Sequence, residues 1–277
     1  MPGQCRILDL PQHRGYLAKE MSLTPTPTHR PQFPDHLQAA KSLDCAPVAG
    51  LPTSSPSKLS LATFFDALFA AHGEQHWWPG RAPFEIIVGA ILVQNTSWTN
   101  AASAIANLRA ARLLSPRAIE KCSLAKLTRL VRPSCYFRQK ARKLKAFVRF
   151  LGEHHRGSLK AMFRTPTRQL REQLLRVHGI GPETADSILL YAGNHPIFVV
   201  DAYTRRILER HGLAHGRESY DEVRGLFEQS LPDEPRLFNE YHALLVHTGK
   251  HHCFKRAPAC STCALRSFLP RPVEGSR

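Results

Sequence analysis

The chain has 277 residues, is 43% hydrophobic by composition and carries a formal net charge of +16. That supplies one substantial core or two small ones, and no apolar run reaches the length that would make this a membrane protein. Seven cysteines, an odd number and mostly scattered, argue against a secreted disulfide framework and for a reducing compartment.

The N-terminus has no apolar signal core and contains Asp9 and Glu20, so the chain reads as cytoplasmic, or associated with nucleoid or nucleus, and not secreted. Arg6, Arg14 and Lys19 leave an organelle-targeting reading open, and Met21 offers a second start. Residues 1–57 hold nine of the 21 prolines and little periodicity, and are expected to be a disordered tail. Their five basic and four acidic residues nearly cancel, so 33 basic and 18 acidic residues put +15 on residues 58–277. A folded body so basic suits a polyanionic partner, with counterion release driving much of the binding.

From residue 58 the pattern becomes helical, with about ten helices by periodicity and almost no strand signal. Leu61, Phe64, Phe65, Leu68 and Phe69 share a face over residues 59–73, which Gly73 ends. PFEIIVGAILVQ, from Pro83, reads as a buried helix. Thr96 or Ser97 caps the next one, with Ala102, Ile105 and Leu108 inward. Ser115-Pro116 and Ser123 start two shorter helices. Residues 136–152 form a long basic helix with Leu144, Phe147, Val148 and Leu151 inward. Further helices are expected at 167–177, 183–192 and 201–210, then one after a capping box at Ser219 and Glu222, and a last one over 235–249.

LLRVHGIGPETADSILLYA reads as helix, tight turn, helix. Gly179 and Gly181 permit positive φ and leave amides around Ile180 uncovered, and Pro182 suits the first turn of the second helix. Bare amides at a helix start form a seat for a phosphate oxygen that reads no base sequence. One helix later, after PIFVV, stands a lone acid, Asp201. Asp201 is expected to cap the helix that follows, a role compatible with chemistry at the mouth of a groove.

The pairing of this hairpin with Asp201 resembles the helix-hairpin-helix DNA glycosylases of the endonuclease III superfamily, over roughly residues 59–268. The resemblance implies an all-α fold of two helical lobes. A six-helix barrel, residues 83–195, carries the hairpin; residues 58–82 plus 196–252 form the smaller lobe that brings Asp201. The partner it implies is double-stranded DNA with a damaged base, held by a monomer. The hairpin grips the backbone while the nucleotide is flipped out and Asp201 promotes cleavage of its N-glycosidic bond. Bifunctional relatives carry a lysine on the second hairpin helix, which attacks the sugar. Here Glu183 holds that position, so the resemblance points to a glycosylase without lyase activity; Lys140, Lys143 and Lys145 are expected to line the DNA groove.

Trp77 and Trp78, next to Pro79, read either as a plug between lobes or as an aromatic wall on which a flipped base stacks. WWP followed by a helix ending LVQNT resembles the 3-methyladenine glycosylase branch. That implies alkylated purine substrates, with Trp78 foremost and Trp77 next as stacking partners. By the same resemblance Gln94 fills the gap left by the flipped base and Tyr136 wedges between base pairs. Cys135 stands where relatives usually have glycine. The rival expectations are removal of another base (uracil, mismatched thymine or adenine), lyase activity through another amine, and a non-catalytic DNA-binding protein.

Near the C-terminus, at 253–269, Cys253-x6-Cys260-x2-Cys263 resembles a [4Fe–4S] loop whose fourth cysteine is replaced by Leu269. Three ligands could hold a cluster with a labile iron, or with His251, His252 or water completing the set; the alternative is a decayed site held by packing.

Overall fold

The computed structural model describes residues 60–75, 77, 80 and 82–270. The Pro-rich tail at 1–57 and Trp78 lie outside the described residues. The rest is helical, with no strand among the described residues.

The first helix, α1 (Leu61–His72), buries Leu61, Phe64 and Leu68; Phe65 and Phe69 are half-buried at the edge of the same face. It is followed by α2 (Pro83–Leu92), buried on nearly every side. Its one buried acid, Glu85, is neutralised by Arg109 at 2.7 Å. Helix α3 (Trp98–Ala110) is capped by Ser97, and its inward face is Ala101, Ala104, Ile105 and Leu108. Ala102, expected inward, is half-buried, because the helix is rotated so that Ala101 faces the core. Ser115 and Ser123 cap α4 (Pro116–Lys121) and α5 (Leu124–Leu130) as expected.

The basic helix α6 (Phe137–His155) buries Leu144, Phe147, Val148 and Leu151, and its basic residues are spread around this apolar stripe. A single turn, α7 (Leu159–Met162), leads to α8 (Thr167–Leu175). Then come the hairpin turn and α9 (Pro182–Ser187), which widens into a π-helical turn over Ile188–Ala192. Helices α10 (Ala202–Arg210), α11 (Tyr220–Ser230, with the Ser219–Glu222 capping box) and α12 (Pro235–His251) complete the set.

Two packing features position the site. Helices α10 and α12 lie so close that a Cβ on Gly249 would collide with the Tyr203 ring. Asp186 of α9, with a side chain 0% exposed, takes two hydrogen bonds from Arg171 of α8, at 2.7 and 3.2 Å. Arg224 of α11 stands 3.7 Å from the same carboxylate. This buried ionic clamp holds the second hairpin helix against its neighbours; removing one partner would strand a charge in the core. Apolar side chains from α1 to α12 join in one continuous core.

Candidate active site

The hairpin corner forms because α8 runs out at Leu175 and the next residues turn on short backbone bonds, Val177 N–H to Leu174 and Ile180 N–H to Val177. Gly179 has φ +82, a left-handed conformation that suits glycine, and a Cβ there would collide with the Lys143 chain at 2.5 Å. Gly181 has φ −95 and so does not use the freedom expected of it. Its lack of a side chain leaves open space before α9. Among the described residues the Gly179 and Gly181 N–H groups have no hydrogen-bond acceptor. Ile180 offers neither side chain nor amide to a ligand: it is 4% exposed and its N–H is already bonded, so it anchors the turn from below.

Asp201 caps α10. Its Oδ1 accepts the Thr204 N–H at 2.7 Å and the Thr204 hydroxyl at 3.0 Å. A cap of this kind stabilises a helix by about 1 kcal/mol, and here it also fixes the carboxylate in space. The second oxygen, Oδ2, stands 3.7 Å from Nε2 of His242 on α12, and the Asp201 side chain keeps 14% exposure. That exposure opens into a cleft of about 820 Å³ that Gly179, Gly181, Glu183 and Trp77 also line. The carboxylate is therefore neither sealed in the core nor turned away from the hairpin.

Behind Asp201 lies a relay that no sequence spacing announced. The Tyr191 hydroxyl donates to His242 Nδ1 at 2.5 Å. Burial, and then the negative charge of Asp201, holds the Tyr191 hydroxyl protonated far above neutral pH. Burial also lowers the pKa of His242 despite Asp201, so the ring is neutral. With Nδ1 accepting, the remaining ring proton sits on Nε2 and faces Asp201. Tyr191 and His242 stand 51 residues apart, on the π-helical turn and on α12. A histidine in a helix otherwise reads as a surface or core residue, so only the fold reveals it.

Glu183, in the first turn of α9, is solvent-exposed and lines the same cleft as Asp201. Loss of hydration, and then the charge of Asp201, raise its pKa to about 7. Lys250 of α12 lines the same cleft with its ammonium 5.4 Å from the centre of the Trp77 ring. Burial lowers its pKa and Asp201 opposes the shift. Trp77 thus stands at the cleft wall with a cation over one face.

Of the other residues picked from sequence, Gln94 is a strut of the hairpin. Its amide NH₂ donates to the Gly179 carbonyl at 3.2 Å and the Thr184 hydroxyl at 2.7 Å, while its oxygen accepts from Lys143. Tyr136 is 58% exposed at the start of α6, in a left-handed conformation with φ 44. Cys135 before it has φ 56 and ψ 162, a region that costs a side-chain-bearing residue about 1–3 kcal/mol and explains why glycine would suit the position.

Lys140 requires a correction. It does not line the groove but is 2% exposed, with its ammonium bonded to the carbonyls of Leu92, at 2.9 Å, and Ser134. It satisfies the end of α2, and burial lowers its pKa to about 8. Lys145 likewise ties down the Glu120 and Cys122 carbonyls. Of the three lysines only Lys143 faces the cleft.

In the cysteine loop, Cys253, Cys260 and Cys263 line one small cavity, with Leu269 on its wall and about 20 Å³ of room, enough for about one water molecule. Arg210 donates to Cys253 Sγ at 3.0 Å. His252 lines this cavity and bonds to Thr262, whereas His251 packs at a tilt against His247 with ring centres 4.5 Å apart. As placed, these side chains do not fit a four-iron cluster: the fourth corner is aliphatic and a guanidinium occupies one thiol. Among the described residues no group of three or more His, Cys, Asp or Glu forms a metal-ligand set.

A helix-turn-helix corner with bare amides, set beside a capped carboxylate in an open cleft of a basic protein, defines a class: helical proteins that seat a phosphate backbone and act on the nucleoside next to it. Residues 88–233 match the family model of the HhH-GPD superfamily base excision DNA repair proteins. A Methanocaldococcus jannaschii protein bearing the name DNA repair glycosylase is 42% identical over 206 residues, covering 74% of this chain and 93% of that protein. Endonuclease III of Sulfolobus acidocaldarius is 26% identical over 189 residues, covering 68% of this chain and 82% of that one. In structure, the Helicobacter pylori 3-methyladenine DNA glycosylase bound to 1,N6-ethenoadenine aligns with a TM-score of 0.62 and 28% identity, over 69% of this chain and 98% of that one. An endonuclease III in a non-covalent DNA complex has a TM-score of 0.66 at 22% identity, over 75% and 92%, a likeness of fold. The chain belongs to the HhH-GPD superfamily and is a DNA glycosylase of base excision repair. No helix among the described residues is long and apolar enough to cross a membrane.

Proposed function

We propose that the protein is a monofunctional DNA N-glycosylase that removes alkylated purines from double-stranded DNA and leaves an abasic site. The observation that carries this reading is the opening of the Asp201 carboxylate into the cleft that Gly179 and Gly181 line. The two glycine amides seat a phosphate of the damaged strand. That brings the anomeric carbon of the extruded nucleoside beside Asp201. As the base departs, positive charge grows on the sugar; Asp201 stabilises it and accepts the proton of the attacking water. The neutral His242, held by Tyr191, turns its Nε2–H towards the second carboxylate oxygen, 3.7 Å away, without cancelling its charge.

Three further features support the finer reading. Glu183 stands where bifunctional relatives carry a lysine, and a carboxylate forms no imine. Trp77 gives the cleft an aromatic wall suited to a purine. The Helicobacter glycosylase, which holds a purine adduct, aligns over nearly its whole length. In this reading Tyr136 is the wedge that separates base pairs, and Gln94 enters the gap left by the flipped base. In the same reading a barrel of residues 83–195 and a lobe of 58–82 plus 196–252 meet at the cleft.

The test is base release from duplexes carrying single lesions. Asp201→Asn keeps a capping side chain, so the helix should hold and DNA affinity should change less than about threefold. Base release should fall by at least about a thousandfold. Equal release by the two proteins would overturn the assignment. Lys250 is the amine to watch for lyase chemistry because it lines the cleft. Borohydride should trap no covalent DNA adduct, and a trapped adduct would refute the monofunctional reading.

A further inference from the structure

Two carboxyl groups share the cleft, and their surroundings differ. Asp201 is held by two donors from Thr204 and faces the His242 ring. The Glu183 carboxyl, among the described residues, has no hydrogen bond or ion pair, the Ser187 hydroxyl bonding only to the backbone carbonyl of that residue. It is a free-standing, solvent-exposed carboxyl on the cleft wall, close enough to Asp201 to feel its charge. The amide dipole at the start of α9 favours the anion, but the cleft wall around the carboxyl and the Asp201 charge favour the acid. The groups around it come from five elements: Tyr191 of the π-helical turn, Tyr220 of α11, Asp201 and Tyr203 at α10, His242 and Lys250 of α12, and Lys143 of α6. The three tyrosines and His242 are uncharged at neutral pH, so the nearby charges are Asp201 and the two lysines. Helices α2 and α8 present no titratable group to the cleft among the described residues.

Two carboxyls set in such different surroundings within one cleft can divide the roles of acid and base. We propose that Glu183 is a second catalytic residue, a neutral acid that protonates the departing base, so that the enzyme removes uncharged purine lesions as well as cationic alkylated ones. The proposal rests on the glycosylase reading above and extends its substrate class. A cationic lesion leaves as a neutral base and needs no proton; an uncharged purine would leave as an anion unless protonated. In the step, the C1′–N9 bond breaks and its electron pair goes to the purine. The Glu183 proton moves to a purine ring nitrogen. Water bonds through oxygen to C1′ and gives its proton to Asp201. Solvent then reprotonates Glu183 and takes the proton from Asp201, so the net reaction is hydrolysis. Position 183, occupied by a nucleophile in lyases, is here turned to acid catalysis.

The experiment uses the full chain with duplexes containing 7-methylguanine, which is cationic, or 1,N6-ethenoadenine, which is not. Single-turnover rates are measured from about pH 5.5 to about pH 8.5. The wild-type rate on the uncharged lesion, relative to the cationic one, should fall towards tenfold per pH unit above about 7. In Glu183→Gln the ratio of uncharged to cationic lesion rates at neutral pH should drop by about tenfold or more, and that pH slope should vanish. An unchanged ratio and slope in the variant would overturn the proposal. So would a flat wild-type profile, which needs no variant to fold. Release of the methylated base but never the uncharged one removes the proposal and leaves the alkylpurine reading standing. Release of neither removes both.

Discussion

The cleft and the cysteine loop, both flanked by α10 and α12, treat their polar groups in opposite ways. In the loop they are paired inwards: Arg206 donates to the carbonyls of Cys253 and Gly249, Arg210 to Cys253 Sγ and the Lys255 carbonyl, and the Ala259 amide to His252. In the cleft, the two glycine amides, the Glu183 carboxyl and one Asp201 oxygen are left without a hydrogen bond among the described residues. Native proteins pair their polar groups unless a ligand will do so. The loop is therefore built for stability and the cleft for a substrate, although three cysteines in sequence attract more notice than two glycines.

That contrast can be broken. The largest effect should come from acid acting on the loop side. His72, His247, His251 and His252 form a group of imidazoles, with His72 and His247 ring centres 4.4 Å apart. Burial, and then mutual repulsion, lowers the pKa of His247 from 6.5 to about 4, and His72 and His251 shift the same way. Below about pH 6.5 the unfolded chain binds protons that the folded one refuses, so stability should fall as pH drops towards about 4. The loss should be on the order of 2 kcal/mol, readable as a falling thermal midpoint in a pH series. A midpoint unchanged between those values would show that the histidines do not carry the stability assigned to them.

Next in size, on the cleft side, Tyr191→Phe should leave His242 free to exchange tautomers, so that its Nε2–H no longer consistently faces Asp201. Single-turnover base release should slow by roughly tenfold, about 1.4 kcal/mol of barrier, with DNA affinity unchanged. A loss confined to affinity would mean that the relay does not act on Asp201. The smallest effect belongs to Cys253→Ala. It should cost about 1 kcal/mol of stability, through the lost Arg210 contact, and leave the rate of base release at the wild-type value. A collapse of activity at undiminished stability would erase the distinction between the two regions.

Sequence periodicity located most helices because each has a strong local cause: a serine cap, a proline in the first turn, or an apolar stripe with polar flanks. The long helix α6 was legible from Leu144, Phe147, Val148 and Leu151 for this reason. The π-helical turn at Ile188–Ala192 and the single-turn α7 were not, since neither has a pattern of its own. Lys140 misled because a lysine in a basic helix looks solvated, and only packing shows it closing the end of α2.

The sequence by itself determined the helices, the glycine corner and the cap at Asp201, since these depend on neighbours within a few residues. Tertiary structure alone decided that the corner and the carboxylate open into one cleft, that Tyr191 and His242 stand behind Asp201, and that a nearby carboxyl is raised to about 7. Hydration and charge at a point depend on every chain segment that surrounds it, and those segments lie far apart along the sequence.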